Sequence, residues 1–190
     1  LINERTKRQV MMELDNAKTQ LTELANVDPL TNVFNRRYFI NRAQAELDLC
    51  GEGRDFSILL IDVDYFKKVN DTYGHIIGDQ VLNGAVAICA TVLRWEDILA
   101  RLGGEEFVIL LPNTSLEPAK DIAERLRVVM ENTPMKTDVG LINITISIGI
   151  SSYSSKKAIS LQELIRQADD AMYKAKDAGR NQVVAWLYSD

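Results

Sequence analysis

The chain has 190 residues, of which 46% are hydrophobic, enough to bury the core of one domain with a short extension. Its formal net charge of −5 argues against binding a nucleic-acid polymer through bulk electrostatics, although a nucleotide remains possible as a ligand. No apolar run approaches the roughly 20 residues that a membrane-spanning helix needs. No signal peptide is visible and the first residue is Leu1, so we expect a fragment of a longer protein that could carry a membrane segment upstream.

Residues 1–26 form the first predicted unit, a helical linker. Its apolar residues recur at alternating spacings of four and three, the heptad pattern of a coiled coil, at Val10, Leu14, Ala17, Leu21 and Leu24. Two interpretations stay open: a dimerising signalling helix, or an amphipathic helix packed on its own domain. Pro29 ends the helix, because the residue before a proline is disfavoured in the α conformation. Residues 27–190 form the second predicted unit, a folded domain.

The second unit alternates helical and strand patterns. Apolar spacing predicts helices over residues 35–49 (with Asn35 as N-cap), 65–73, 78–95, 115–131 and 160–178, the last ended by Gly179. It predicts strands over residues 56–63, 98–100, 108–111, 142–150 and 183–187, the last at a sheet edge. The order β-α-β-β-α-β, with an additional helix and strand, predicts an α+β fold: a ferredoxin-like antiparallel sheet flanked by helices, a plan shared with polymerase palms. Cys50 and Cys89 stand singly in helical patterns, which predicts reduced thiols.

The strands over residues 98–111 are joined by a glycine pair and followed by two acids. Gly103 and Gly104 suit the positive-φ positions of a two-residue hairpin turn, because neither has a Cβ. Glu105 and Glu106 then open the second strand, although acids are poor strand formers. Taken alone, such a pair is typical of a solvated, charged strand end.

A second pair of acids changes that interpretation. The buried strand 56–63 ends in Asp62 and Asp64, which we expect to project from one face because they are two residues apart. If the hairpin pairs beside this strand, Asp62 meets Glu105 and Glu106, and like charges that close need a cation. Oxygen ligands favour Mg²⁺ or Mn²⁺, and the chemistry indicated is metal-assisted phosphoryl or nucleotidyl transfer. For Asp64 two roles stay open, a metal ligand or the N-cap of the next helix.

Several separated motifs extend from Asp28 to Asn181. They are Asp28-Pro29-Leu30-Thr31 with Asn35-Arg36-Arg37, Asp62-Val63-Asp64-Tyr65-Phe66-Lys67-Lys68-Val69-Asn70-Asp71, Tyr73-Gly74-His75, Gly78-Asp79, Gly103-Gly104-Glu105-Glu106-Phe107, Ala171-Met172-Tyr173-Lys174-Ala175-Lys176 and Gly179-Arg180-Asn181. In this order they resemble the GGDEF family of bacterial diguanylate cyclases, in its GGEEF form. One departure, Thr31-Asn32-Val33 in place of the usual Thr-Gly-Leu, lies outside the catalytic motif.

The resemblance implies an enzyme that condenses two GTP into cyclic di-GMP and two pyrophosphates with Mg²⁺ or Mn²⁺. It implies that Asp62, Glu105 and Glu106 are the catalytic acids, and that they and the Val63 carbonyl hold the metal. Glu106 would bind a second ion or help to deprotonate the attacking 3′-hydroxyl. Because one domain binds one GTP, two must face each other, which implies a homodimer that the heptads support. It also implies a cytoplasmic domain under an upstream sensor.

The resemblance also implies the nucleotide-binding residues. The substrate-lining positions are Phe66, Lys67, Asn70, His75, Asp79, Gly103, Gly104, Lys176 and Arg180. The three cations among them would contact the β- and γ-phosphates, whereas Asn70 and Asp79 would read guanine, whose N1–H and N2–H suit a carboxylate acceptor. Arg94, Asp97 and Arg125 match a product-inhibition site, at which bound cyclic di-GMP locks the domains so that the two GTP sites cannot meet. Without the resemblance, Arg-x-x-Asp usually indicates an ion pair at a helix end.

Three other functions stay open. The domain could be an inactive sensor of GTP or cyclic di-GMP, although intact Asp62, Glu105 and Glu106 argue against lost turnover. It could be a different nucleotidyl transferase on a palm-like fold, which a template or another acceptor would reveal. It could also be structural, in which case Mg²⁺-dependent GTP binding should be missing.

Overall fold

A computed structural model of the protein describes residues 7–13, 26–49, 54–154 and 159–187. The helices in these ranges are α1 (7–13), α2 (Arg36–Leu49), α3 (Phe66–Tyr73), α4 (His75–Val92), α5 (Leu116–Asn132) and α6 (Leu161–Asp177). The strands are β1 (Phe34–Asn35), β2 (Phe56–Val63), β3 (Ile98–Gly103), β4 (Glu106–Pro112), β5 (Met135–Thr137), β6 (Gly140–Ile142), β7 (Ile146–Tyr153) and β8 (Val183–Ala185). Of the predicted heptad residues only Val10 is described; Leu14, Ala17, Leu21 and Leu24 lie outside the described residues, as does Cys50.

Six strands form the central sheet in the order β1-β3-β4-β2-β7-β8. The four inner strands pair antiparallel, whereas β1 and β8 add parallel edges. The inner order β3-β4-β2-β7 is that of a ferredoxin-like sheet, which confirms the predicted fold class. β5 and β6 form a separate two-stranded sheet.

Helices cover both faces of the sheet, so every residue of β2 is buried. Alternate β2 residues pack on one side against α3, α4 and α5, and on the other side against α2 and α6. α6 lies directly on β7 at Gly149, where an added Cβ would lie 2.0 Å from the Ala168 carbonyl oxygen. The end of β2 is thereby fixed between two helical layers.

Most predicted elements are confirmed, and β2 has the predicted bounds. Asn35 is an N-cap as predicted, because its Oδ1 accepts a hydrogen bond from the Tyr38 backbone N–H at 3.1 Å. Gly179, with a φ of 116°, follows α6 as predicted. The predicted helix 78–95 is wrong in its bounds: α4 begins three residues earlier, after Gly74, whose positive φ separates it from α3.

The predicted strand 142–150 is also wrong, because residues 143–145 interrupt it. At this break the Thr145 carbonyl accepts a hydrogen bond from the Asp64 N–H at 2.9 Å, so the chain is turned towards the end of β2. Ile142 pairs instead with Met135 in the small sheet. The alternation of apolar residues over 142–150 therefore continues through a break in the strand, which is why it predicted one strand there.

By length and composition alone, α4 is the one described helix that could cross a membrane, with 18 residues and a mean hydropathy of 1.3. One face of it, with Ile77, Val81 and Ile88, packs into the domain core, while Asp79 and Asn83 face outwards. This is the pattern of a core helix. Cys89 on α4 is a free, buried thiol, as predicted, and burial raises its pKa to about 12.

Candidate active site

The β3–β4 hairpin brings its glycines and acids to one end of the sheet. The turn comprises Gly104 and Glu105, one residue later than predicted, because a bulge after Arg101 pairs Gly103 with Glu106. Both glycines have positive φ, 146° at Gly103 and 52° at Gly104, as the prediction required. The bulge places Glu105 at the tip of the hairpin.

The pairing of β2 with β4 brings the predicted acids together. Asp62 lies opposite Glu106 in the register, and the Val63 N–H donates to the Glu105 carbonyl at 3.3 Å. Asp62 is only 8% exposed. Burial raises the pKa of Asp62, Lys176 opposes this, and the nearby charges of Glu105 and Glu106 add to it.

Lys176 is the counter-charge of this edge. Its Nζ lies 2.7 Å from Asp62 Oδ2, and α6 supplies it at the point where the helix leaves the core. Within the described ranges no group of three or more His, Cys, Asp or Glu side chains is close enough to hold a metal ion. A lysine therefore partners the buried carboxylate in this structure.

A cleft of about 560 Å³ opens beside this pair. It brings together the predicted residues Asp62, Val63, Phe66, Lys67, Glu105, Lys176 and Arg180. Tyr65, Lys68 and Asp71 complete the wall. Carboxylates and three predicted phosphate-binding cations thus line one cavity, which suits a metal–polyphosphate ligand.

Glu106 is directed elsewhere. It lines a second hollow of about 310 Å³ between α2 and α6, together with Arg36, Asp169 and Met172. Glu105 lines the cleft beside Asp62 and Lys176, so the two adjacent glutamates line different, neighbouring cavities.

Asn70 has the environment of a ligand-binding amide. Its Oδ1 is buried and finds no hydrogen-bond partner in the part of the chain that the structure describes, a state that costs free energy unless a ligand supplies a donor. The amide packs over Gly78, where an added Cβ would lie 1.9 Å from that oxygen and 3.2 Å from Phe66 Cζ. The glycine therefore provides the space for Asn70. His75 and Asp79 are exposed near the start of α4 and do not line the cleft of Asp62.

The predicted inhibitory residues meet at the turn between α4 and β3. Asp97 Oδ2 accepts from the Arg94 N–H at 2.7 Å, while Arg125 Nη2 donates to the Val92 carbonyl at 3.0 Å. The pKa of Asp97 is raised by burial, against the opposing effects of Arg94 and Arg125. The Arg94 guanidinium stays exposed and lies 3.9 Å from Glu96. Asp97 thus closes the turn and does not pair with the Arg94 side chain.

The predicted common face of Asp62 and Asp64 is wrong. β2 ends at Val63, and Asp64 turns inwards, away from the cleft that Asp62 lines. The N-cap interpretation is also wrong, because Tyr65 is the N-cap of α3 and no side chain caps it. Asp64 instead accepts hydrogen bonds from Thr145, Ser147 and Asn181, distant partners that a local sequence pattern does not reveal.

Sequence reasoning also missed Arg101. Its Nε and Nη2 donate to the Gly104 carbonyl at 3.0 and 2.8 Å, and its Nη1 lies 3.1 Å from Asp28 Oδ1. Asp28 also accepts from Thr31, and the Thr31 and Arg101 hydrogen bonds lower its pKa against the opposing effect of burial. These contacts tie the hairpin tip to the loop before α2.

A largely antiparallel sheet with acids and predicted phosphate-binding cations at one edge is the arrangement expected of a palm-type nucleotide site. The family model "Diguanylate cyclase, GGDEF domain" matches residues 25–182, and the chain belongs to this family. It is 42% identical to the probable diguanylate cyclase DgcT of Escherichia coli and to the response regulator PleD of Caulobacter vibrioides, over 85% of this chain and 36% of each relative. It is 41% identical to diguanylate cyclase A of Treponema denticola, over 87% of this chain and 45% of that protein. The chain therefore spans about two fifths of their length.

Solved structures agree with this membership. The coiled coil and GGDEF domain of DgcB from Caulobacter crescentus, in complex with c-di-GMP, superposes with a TM-score of 0.87 at 28% identity, covering 94% of this chain and 95% of that one. The active GGEEF domain of a diguanylate cyclase from Vibrio cholerae gives 0.75 at 32% identity, covering 82% and 98%.

Proposed function

We propose that this domain condenses two GTP molecules into cyclic di-GMP and two pyrophosphates. The observation that carries the proposal is the single cleft in which Asp62 and Glu105 face Lys67, Lys176 and Arg180. A divalent cation needs carboxylate ligands and a triphosphate needs cationic side chains, and a cleft with both signs of charge meets both needs.

The donor set fits Mg²⁺ or Mn²⁺. Asp62 and Glu105, with the Val63 carbonyl, would hold the ion, and Glu106 would serve a second one. The raised pKa of Asp62 supports this role, because a buried carboxylate among other acids gains from a divalent cation. When bound, the ion would neutralise charge that develops on the reacting phosphate.

The chain's own residues would bind and orient the nucleotide. Lys67, Lys176 and Arg180 would hold the β- and γ-phosphates by charge-assisted hydrogen bonds. The unpaired Oδ1 of Asn70 supports a base-reading role, which Asp79 would share by accepting from guanine N1–H and N2–H. His75 would lie near the base. Gly103 and Gly104 let the main chain approach the nucleotide, because they carry no Cβ.

The reaction needs two such sites. The 3′-oxygen of each GTP would attack the α-phosphorus of the other, forming a P–O bond while the bond to pyrophosphate breaks. Glu106, which lines the neighbouring hollow, would help to take the hydroxyl proton. A homodimer would bring the two GTP molecules together, and residues 1–26 would raise the effective concentration of each domain near its partner domain.

A decisive experiment incubates the purified chain with GTP and Mg²⁺ and identifies the products by chromatography and mass spectrometry. Cyclic di-GMP from the wild type but none from Glu105→Ala would support both the cyclase and the role of the acid. Lys120→Ala, a surface cation that pairs only with Glu117 among the contacts shown, is the matched control and should retain activity. A rate per subunit that rises with protein concentration would support the dimer. GTP binding without product at any concentration would favour a sensor.

We further propose product inhibition through Arg94, Asp97 and Arg125. The exposed Arg94 guanidinium supports this, because among the described residues only a long contact to Glu96 competes with bidentate binding of guanine or phosphate. Arg94→Ala should keep synthesis and lose inhibition by added cyclic di-GMP. Inhibition equal to that of the wild type would refute the site.

A further inference from the structure

Backbone strain is concentrated beside the cleft. Three of the five described non-glycine residues with positive φ are Tyr65 (56°), Arg180 (66°) and Asn181 (47°). Residues with a Cβ adopt this conformation at a cost in free energy, so surrounding contacts must offset it. The Arg180 guanidinium lies 4.7 Å from the centroid of the Tyr65 ring, where both residues line the cleft.

Asp64 is the contact that joins these residues. It is 3% exposed, and its Oδ2 accepts from the Asn181 main-chain N–H at 3.0 Å. Thr145 Oγ1 donates to the same oxygen at 2.7 Å, and Ser147 Oγ donates to Oδ1 at 2.6 Å. One buried carboxylate therefore fixes the main chain next to Arg180 and directly precedes Tyr65.

Helix α5 holds the side chain of the same residue. Arg127 Nη1 donates to Asn181 Oδ1 at 2.9 Å, and Asn181 Nδ2 donates to Glu131 Oε1 at 2.8 Å. Arg127 and Glu131 also pair with each other at 2.8 Å. Asn181 is thus held through its main chain by Asp64 and through its side chain by α5.

We propose that Asp64, acting through Asn181, is a positioning residue that fixes Arg180 at the phosphate end of the cleft. The inference rests on the proposed function only in taking a nucleoside triphosphate as the ligand of Arg180. Without this anchor the left-handed pair would relax, and the guanidinium would leave the Tyr65 ring. Loss of the anchor should therefore weaken binding of the β- and γ-phosphates and leave binding of the base unchanged.

The test compares the affinities for GTP and GMP, measured by displacement of a fluorescent GTP labelled on its 3′-oxygen. Asp64→Ala should lower the ratio of GTP to GMP affinity about tenfold, the size expected when a charge-assisted contact is lost. Asp64→Asn should retain most of the ratio, because its amide oxygen can accept from Asn181 while its nitrogen donates to the Ser147 hydroxyl. Asn132→Ala, next to Glu131 but with a side chain that hydrogen-bonds to Val128 alone among the described residues, should leave the ratio unchanged.

A purely structural role would lower the melting temperature but leave the ratio unchanged in the folded fraction. A double-mutant cycle separates the two, because Asp64→Ala should have no further effect on the ratio once Arg180→Ala is present. A wild-type ratio in folded Asp64→Ala would overturn the inference. If that variant does not fold, Asp64→Ser decides. The serine side chain is one atom shorter and does not reach the Asn181 N–H, yet it keeps a polar group beside the Ser147 hydroxyl, so a ratio several-fold below the wild type supports the inference.

The outcomes distinguish this inference from the proposed function. Wild-type protein that prefers GTP to GMP but forms no cyclic di-GMP would refute the cyclase activity. The GTP to GMP affinity ratios of the variants would then still test the positioning role of Asp64. Wild-type protein that binds GTP and GMP equally would overturn the inference itself. An unchanged ratio in folded Asp64→Ser would do the same where Asp64→Ala has failed to fold.

Discussion

Gly78→Ala should separate stability from substrate recognition. The new Cβ would lie 1.9 Å from Asn70 Oδ1, so the amide must rotate away, but it is the end of a side chain and can do so without moving the helix. Within α4, where Gly78 is the fourth residue, alanine is more favourable than glycine by up to about 1 kcal/mol, so the melting temperature should hold or rise. The lost hydrogen bond to guanine should cost about 1–3 kcal/mol, a rise of roughly five- to 150-fold in KM for GTP.

The matched control is Gly84→Ala on the same helix. There the new Cβ would lie 3.1 Å from Met135 Cγ and Sδ, a flexible side chain remote from the cleft. It should gain the same helix propensity and keep the wild-type KM. The assays are thermal unfolding and initial rates of cyclic di-GMP formation over a range of GTP concentrations, with ATP as competitor. A folded Gly78→Ala with wild-type KM and unchanged preference for GTP over ATP would refute the reading of guanine by Asn70.

Gly149→Ala should destabilise the domain by about 3 kcal/mol or more, since its Cβ would meet main-chain atoms of α6 at 2.0 and 2.2 Å; a wild-type urea midpoint would contradict this. Because the pKa of Asp62 is raised above its ordinary 3.8, the folded state keeps this proton to higher pH than the unfolded state. Stability should therefore fall as pH rises from 3.8 through the raised pKa of Asp62, and Asp62→Asn should melt higher than the wild type at neutral pH in EDTA. A lower melting temperature there would refute the assignment. Buried Cys89, with a pKa of about 12, should resist Ellman's reagent in folded Cys50→Ser protein and react on denaturation; rapid reaction in the native state would show that it is accessible.

The central strands and acids were predictable because their signals are local. β2 is an uninterrupted apolar run between polar ends, and buried strands need little else. Gly103 and Gly104 mark a turn by their lack of a Cβ, although the bulge that shifts the turn to Glu105 depends on Arg101 and its contacts with Asp28 and Gly104. A side chain from one loop that holds another leaves no periodic trace in the sequence.

The two acids at the end of β2 show where the local rule stops. Residues two apart in a strand share one face, but this holds for Asp62 and Asp64 only while the strand continues. β2 ends between them, at Val63. Asp62 stays at the edge, its pKa raised by burial and partnered by Lys176, which suits a carboxylate that exchanges one cation for another. Asp64 turns into the protein and is satisfied by three hydrogen-bond donors, so it has no need of a metal. Two aspartates only two positions apart can therefore have different roles: Asp62 faces the ligand cleft, whereas Asp64 belongs to the scaffold that positions Arg180. The course of the chain after Val63 determines which role each one has.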